Sequence, residues 1–299
     1  MSDFNLNDHI FRLLQQEPFF AALSRKIEKA ESKDIPTAGV RVNPDTGHFE
    51  MLYNSDFFER LTDAQRSGVL VHEFYHLVFE HVLDRLPDDL ASVMKDKPTA
   101  AEAAKFKIWN IAADLSINCL IGKDKLPEMC CFPGVGPFEG MPEGQTAEWY
   151  YAELLKMQDE SGKGEGGEGD GEGEGGSGDG SGDGEGQGGF NPDEVGQFDD
   201  HSGWGGSDCS DAVKEIAKER LKEAAKQAVN EAQSKGWGSV GASCRKEIME
   251  RISTKVDWRK VLRWFVKCSQ RSNKRSTPRR LNKRYPYVHP GRKVERVAN

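Results

Sequence analysis

The 299-residue chain is long enough for one large domain or two small ones, and its net charge of −8 averages two opposed blocks. Residues 159–200 are acidic and glycine-rich, with Lys163 their one basic residue, whereas the chain from Arg259 onward is strongly basic. The start carries no basic segment followed by an apolar one, no run approaches the ~20 apolar residues of a membrane span, and none of the six cysteines forms a CxxC pair. These features argue against a signal peptide, a membrane protein and a disulfide scaffold, and lead us to expect a cytoplasmic protein with reduced thiols.

In chain order, residues 8–31 read as an amphipathic helix, or two short ones interrupted near "QEPFF", where Pro18 can open the second. Residues 37–54, "TAGVRVNPDTGHFEMLYN", alternate apolar and polar on either side of turn chemistry, which predicts a β-hairpin. Residues 62–85 are predicted to be a helix capped by Thr62 and closed by Pro87. A second long helix is predicted over 99–121, with Thr99 as cap and Gly122 at its stop. The proline-bearing segment 123–145 reads as loop, and "TAEWYYAELLKM" as a shorter helix.

Residues 158–189 consist mainly of Gly, Glu, Asp and Ser without an apolar side chain, the composition of a flexible, self-repelling linker. Beyond it we expect a loop, "FNPDEVGQFDDHSGWGGSD", then helices over about 210–235 and 245–252. A last amphipathic helix is expected over "VDWRKVLRWFVKCSQ", followed by a tail without clear periodicity. The expected organisation is a core over 1–157, the linker over 158–189, and a C-terminal helical segment with a basic tail over 190–299, packing on the core. The fold class is α+β, predominantly helical, with a small sheet.

Within the 62–85 helix, "GVLVHEFYHLVFEHVLDR" sets His72 and His76 four residues apart, hence on one face. Two imidazoles so placed can converge on one tetrahedral cation, leaving positions for a third ligand and a water. Glu73, beside the first histidine, is suited to be the general base of a metal-assisted hydrolase. The flanking Val69, Leu70, Val71, Phe74, Leu77, Val78 and Phe79 would bury these groups, a costly arrangement that a bound cation offsets. Tyr75 lies on another face and reads as packing.

Three residues compete to complete the site. His81 is nine residues past His72 and faces away if the helix is unbroken; it ligates only if the helix ends near Phe79. Asp114 sits in "FKIWNIAADLSINCLI", where Asn110, Asp114 and Asn118 form one polar line on an otherwise apolar helix, so its carboxylate needs a buried partner. His201, in "FDDHSGWGG", can ligate the metal, assist an oxyanion or stay solvated. The preferred set is one Zn²⁺ per chain held by His72, His76 and Asp114, with Glu73 and His201 as catalytic groups. Two imidazoles and a carboxylate also accept Fe²⁺, Mn²⁺ or Co²⁺.

Taken with "PFFAAL", "TAGVRVN", "WNIAADLSIN", "QTAEWYYAELL", "DDHSGW", "VDWRKVLRWF" and "RRLNKRYPYVHPG", this order of motifs resembles a zincin-like metallopeptidase domain. In many bacterial and phage proteins that domain precedes a C-terminal von Willebrand factor A-like domain. The resemblance implies a zinc-dependent hydrolase-like core of largely undefined substrate, supports Asp114 as a site residue and draws attention to His81 and His201; a peptide or protein is the substrate we expect. The sequence stops at Asn299, where the second domain would follow, so no role of that domain carries over. A non-catalytic, metal-stabilised adaptor is the alternative. The tail over 271–292, with Tyr285 and Tyr287 among its Lys and Arg, adds an expected acidic or nucleic-acid partner.

Overall fold

The computed structural model describes residues 4, 6–83, 85–87, 90, 99–162, 190, 192, 195, 209–253, 262–263, 274–281 and 290–294. The chain up to Ile252 is one compact unit and Ser253–Asn299 a second. Most of the linker, the segment around His201 and nearly all of the last expected helix lie outside the described residues.

In the first unit, Pro18 divides the opening helical stretch into α1 (Leu6–Gln16) and α2 (Pro18–Ser24), as its missing N–H allows. Helix does not continue to residue 31. Glu28–Glu31 is strand β1, which pairs in parallel with β3 (Phe49–Tyr53), a long-range partnership that local periodicity does not report. The expected hairpin is present. Strand β2 (Ala38–Val42) runs antiparallel to β3 with Val40 opposite Met51, and Asn43 Oδ1 accepts the N–H groups of Asp45 and Thr46 in the turn. The sheet order is β1-β3-β2. Ala38, Val40 and Val42 are buried, while Arg41 points out and pairs with Glu50 at 2.9 Å, so alternation sets which face covers the helices.

A short helix α3 (Ser55–Arg60), capped by Asn54, leads into α4 (Asp63–Val78). Helix α4 packs on β2 and on α5 (Ala100–Ile121). Gly68 permits a close approach here. A Cβ at that position would lie 1.9 Å from the Lys125 carbonyl oxygen, in the 3-10 turn Lys123–Lys125 that follows α5. Helix α5 stops at Gly122, whose φ of 98° suits a residue without Cβ.

Helix α6 (Ala147–Gly162) packs along α5 and runs five residues past Met157, into the stretch expected to be linker. Helix α7 (Asp211–Lys235), capped by Ser210, packs on α2, and α8 (Ala242–Ile252) packs on α7. The core contains Phe19, Phe20, Phe58, Phe74, Trp109 and Tyr150, all but inaccessible to solvent.

The second unit contains two strands in the tail whose sequence shows no clear periodicity. Strands β4 (Lys274–Leu281) and β5 (Pro290–Val294) pair antiparallel, with an irregularity between Thr277 and Leu281 near Pro278. Proline gives no N–H to a ladder, and the alternation that marks a half-buried strand is missing from a sequence this basic.

Candidate metal centre

Both helices that build the centre begin with reciprocal caps. Thr62 accepts the Gln65 N–H while Gln65 accepts the Thr62 N–H, and Thr99 and Glu102 do the same for α5. From these starts the periodicity of α4 places His72 and His76 on its inner face, and that of α5 places Asp114 opposite them. Asp114 Oδ1 is 3.4 Å from His76 Nε2 and 3.7 Å from His72 Nε2, and the two Nε2 atoms are 2.8 Å apart. His72, Glu73 and His76 are fully buried and Asp114 is 2% exposed.

The donor set fits a divalent cation. At the ~2.0–2.1 Å bonds typical of zinc, a tetrahedral ion separates its ligand atoms by roughly 3.3–3.4 Å. The His76–Asp114 distance of 3.4 Å matches that spacing; the 3.7 Å from His72 to Asp114 must shorten by a few tenths of an ångström and the two rings part by about half an ångström to match it too. Among the described residues, His72, His76 and Asp114 form a group whose ligand atoms all lie within 4.8 Å of one another. A cation between the rings needs the lone pair of each Nε2, which leaves the protons on the Nδ1 atoms. An atom able to accept stands at each: an amide oxygen at His72, and at His76 an imidazole nitrogen, which accepts when His81 carries its own proton on Nε2. His72 Nδ1 lies 2.8 Å from Asn118 Oδ1, whose orientation is fixed because Asn118 Nδ2 donates to the Cys131 carbonyl at 2.8 Å. His76 Nδ1 lies 3.1 Å from His81 Nδ1.

The expectation for His81 needs correcting. The predicted 62–85 helix ends at Val78, with Phe79 as its C-cap and Glu80 at a φ of 61°. No glycine or proline marks this stop, because the left-handed position is taken by a glutamate. The turn brings His81 back against His76 instead of carrying it to the far side of a continuing helix. His81 nevertheless lies outside the three-residue group and touches it from behind.

Asn110, Asp114 and Asn118 are all buried along one line of α5, as their spacing predicts, but the sequence does not show that Asn118 serves His72. Its i+4 position from Asp114 was the available signal. Tyr75 is packing: its ring stacks on Phe79 and meets Phe20 edge-on, and burial holds its hydroxyl far above the ordinary tyrosine range. His201 lies outside the described residues. No described helix is long and apolar enough to cross a membrane.

Comparison with known proteins agrees with this geometry. Residues 4–295 match the model of the family described as "Putative metallopeptidase domain". A protein of Thermotoga maritima, named "Uncharacterized protein", is 24% identical over 302 residues, a match covering 96% of this chain and 64% of that protein. The chain thus spans a little under two-thirds of that curated relative's length. No solved structure matches the chain. The match across nearly the whole sequence, together with a buried His-His-Asp group able to hold a metal ion, makes this chain a member of the putative metallopeptidase domain family.

Proposed function

We propose that the protein is a zinc-dependent peptidase in which His72, His76 and Asp114 hold the metal and Glu73 is the general base. The observation that carries this reading is the convergence of three buried ligand atoms from two helices, with Glu73 adjacent to one ligand. Three ionisable groups buried together are costly unless a cation offsets them. Zinc held there supplies a Lewis acid that polarises a peptide carbonyl and eases deprotonation of a nearby water. Glu73 accepts the proton that water loses as its oxygen adds to the carbonyl carbon. It returns that proton to the amine nitrogen as the C–N bond breaks. Asn118 holds the orientation of the His72 ring, and burial excludes bulk water, which strengthens these interactions.

Elemental analysis of the purified chain, with a peptide-library hydrolysis assay, tests the reading. We expect close to one zinc per chain, lost in His72→Ala and kept in Glu73→Gln, with hydrolysis reduced about 10²–10⁴-fold in Glu73→Gln. A wild type offered zinc that retains none removes the proposal.

Complete burial favours a second reading, in which the metal stabilises a non-catalytic adaptor. The two differ in what Glu73 does. A zinc-loaded wild type without hydrolytic activity, whose melting temperature falls on chelation, supports the adaptor.

The second unit suggests an anionic partner, and we propose nucleic acid. Strands β4 and β5 together carry six Lys or Arg and no acidic residue, and their register sets Arg275 opposite Lys293. Like charges at facing positions are destabilising unless an anion lies against them. Binding of a labelled oligonucleotide should weaken steeply with salt, and a salt-independent signal contradicts the idea.

A further inference from the structure

The end of α4 is built to turn back on itself. The Phe79 N–H donates to the Tyr75 carbonyl at 2.8 Å, that of Glu80 to Leu77 at 2.9 Å, and that of His81 to His76 at 3.0 Å. With Glu80 in the left-handed region, this is the Schellman pattern, in which the second residue past the cap meets the residue five positions earlier. In most helices that meeting is apolar. Here it joins two imidazoles, His81 and His76, with ring centroids 5.3 Å apart and Nδ1 atoms at 3.1 Å.

Left-handed backbone is unfavourable for any residue with a Cβ, so the turn persists only because its surroundings hold it. Those surroundings are specific. Trp109 of α5 meets the His81 ring edge-on at 6.0 Å and Phe79 closes another side at 5.9 Å. Outside, the Glu80 carboxylate pairs with Arg251 at 3.5 Å, and Arg251 with Glu247 at 2.8 Å, both from α8. Arg85 grips Glu148 of α6 with two nitrogens, at 2.7 and 2.9 Å. The short stretch after α4 is thereby tied to two other helices.

We propose that His81 is the positioning residue for His76: the left-handed turn at Glu80 delivers an imidazole acceptor to His76 Nδ1, which keeps the proton there and the lone pair of Nε2 toward the metal. This rests on the metal reading above and assigns His81 a task other than ligation. A buried apolar side chain of similar size without an acceptor, such as leucine, would fill the space and fail at the task. Asparagine, whose Oδ1 stands about where Nδ1 does, would succeed.

The test is zinc affinity of the full chain, measured at equilibrium against a chromophoric chelator, with the visible spectrum of the Co²⁺ form and the melting temperature of the metal-free form recorded alongside. His81→Leu should bind zinc about 10–100-fold more weakly, while His81→Asn stays within about threefold of wild type. Glu80→Gly, which accepts the turn, should keep wild-type affinity although it loses the Arg251 contact. Glu80→Val, a branched residue unsuited to positive φ, should weaken binding as His81→Leu does, with no further loss in the double variant. If His81→Leu does not fold, Glu80→Val and His81→Asn carry the comparison. Wild-type affinity in the folded His81→Leu or Glu80→Val, weakness in His81→Asn equal to that of His81→Leu, or additive losses would overturn the inference. A wild type that binds no zinc overturns the metal reading itself, a result distinct from all of these.

Discussion

Helices α4 and α5 start alike and finish differently. Each opens with a threonine cap and a glutamine or glutamate three residues on, and each brings polar groups to the same buried point. Helix α5 continues past Asp114 for seven residues, so Asn118, whose Oδ1 faces His72 Nδ1, simply stands one turn beyond Asp114. Helix α4 stops two residues after His76, and the group facing His76 Nδ1 arrives by reversal of the chain. A helix that runs on can carry ligand and supporting group at i and i+4; one that ends must recover its supporting group from the turn.

The largest effect should come from removing either helix's ligand. Structural zinc sites are worth roughly 10–16 kcal/mol in all, so one ligand accounts for something like 10³-fold in affinity. Asp114→Ala and His76→Ala should therefore weaken zinc binding on the order of 10³-fold each, by competition titration. If Asp114→Ala leaves affinity unchanged, α5 is no ligand helix and the pairing of the two helices has another purpose.

Next in size is the contact that keeps the helices together. A methyl at Gly68 would lie 1.9 Å from the backbone oxygen of Lys125, and backbone cannot rotate aside as a side chain can. Gly68→Ala should destabilise the protein by about 2–3 kcal/mol, read as a lower urea midpoint with an unchanged slope. An unaffected midpoint would mean the turn after α5 yields easily.

Asn118→Leu is the counterpart of the His81 test on the other helix. Losing the acceptor at His72 Nδ1 should weaken zinc binding about tenfold, more than it lowers the stability of the metal-free chain. Equal losses of affinity and apo stability would make Asn118 a packing residue.

What could be read from the sequence follows the same divide. Asp114 and its neighbours were legible because four-residue spacing on an uninterrupted apolar helix is a local property. So were His72, Glu73 and His76, and the hairpin at 37–54. The end of α4 was not legible, because a glutamate at φ 61° is held by its pairing with Arg251 and the turn's own hydrogen bonds, and the His81 that follows packs on Trp109, so much of what fixes the turn comes from elsewhere in the chain. Strand β1 was missed for a related reason: "EKAE" has no strand pattern of its own and exists as a strand through β3. The helix expected over 62–85 ends early, at Val78, because a stop need not be written as glycine or proline.

The caps supply the smallest effects and a contrast with pH. Thr62→Ala and Thr99→Ala should each cost about 1 kcal/mol near neutral pH. They differ in the reciprocal partner, neutral Gln65 at α4 and Glu102 at α5. Bonds from the Thr99 N–H and hydroxyl hold the Glu102 carboxyl below its ordinary range. A carboxyl with a depressed pKa in the folded chain contributes stability that is complete above its unfolded value near 4.5 and fades as pH falls through the folded value. Acid below about pH 4.5 should therefore loosen the cap of α5 and leave that of α4 closed, since glutamine does not titrate; what acid sensitivity the start of α4 has comes instead from Asp63, whose carboxyl Arg12 and Arg66 hold below its ordinary range. Glu102→Gln should flatten that part of the stability–pH curve, measured by urea midpoints from pH 3 to pH 6. If its curve keeps the wild-type slope, the acid sensitivity of this fold comes from other carboxylates, and the two helix starts differ in chemistry without differing in consequence.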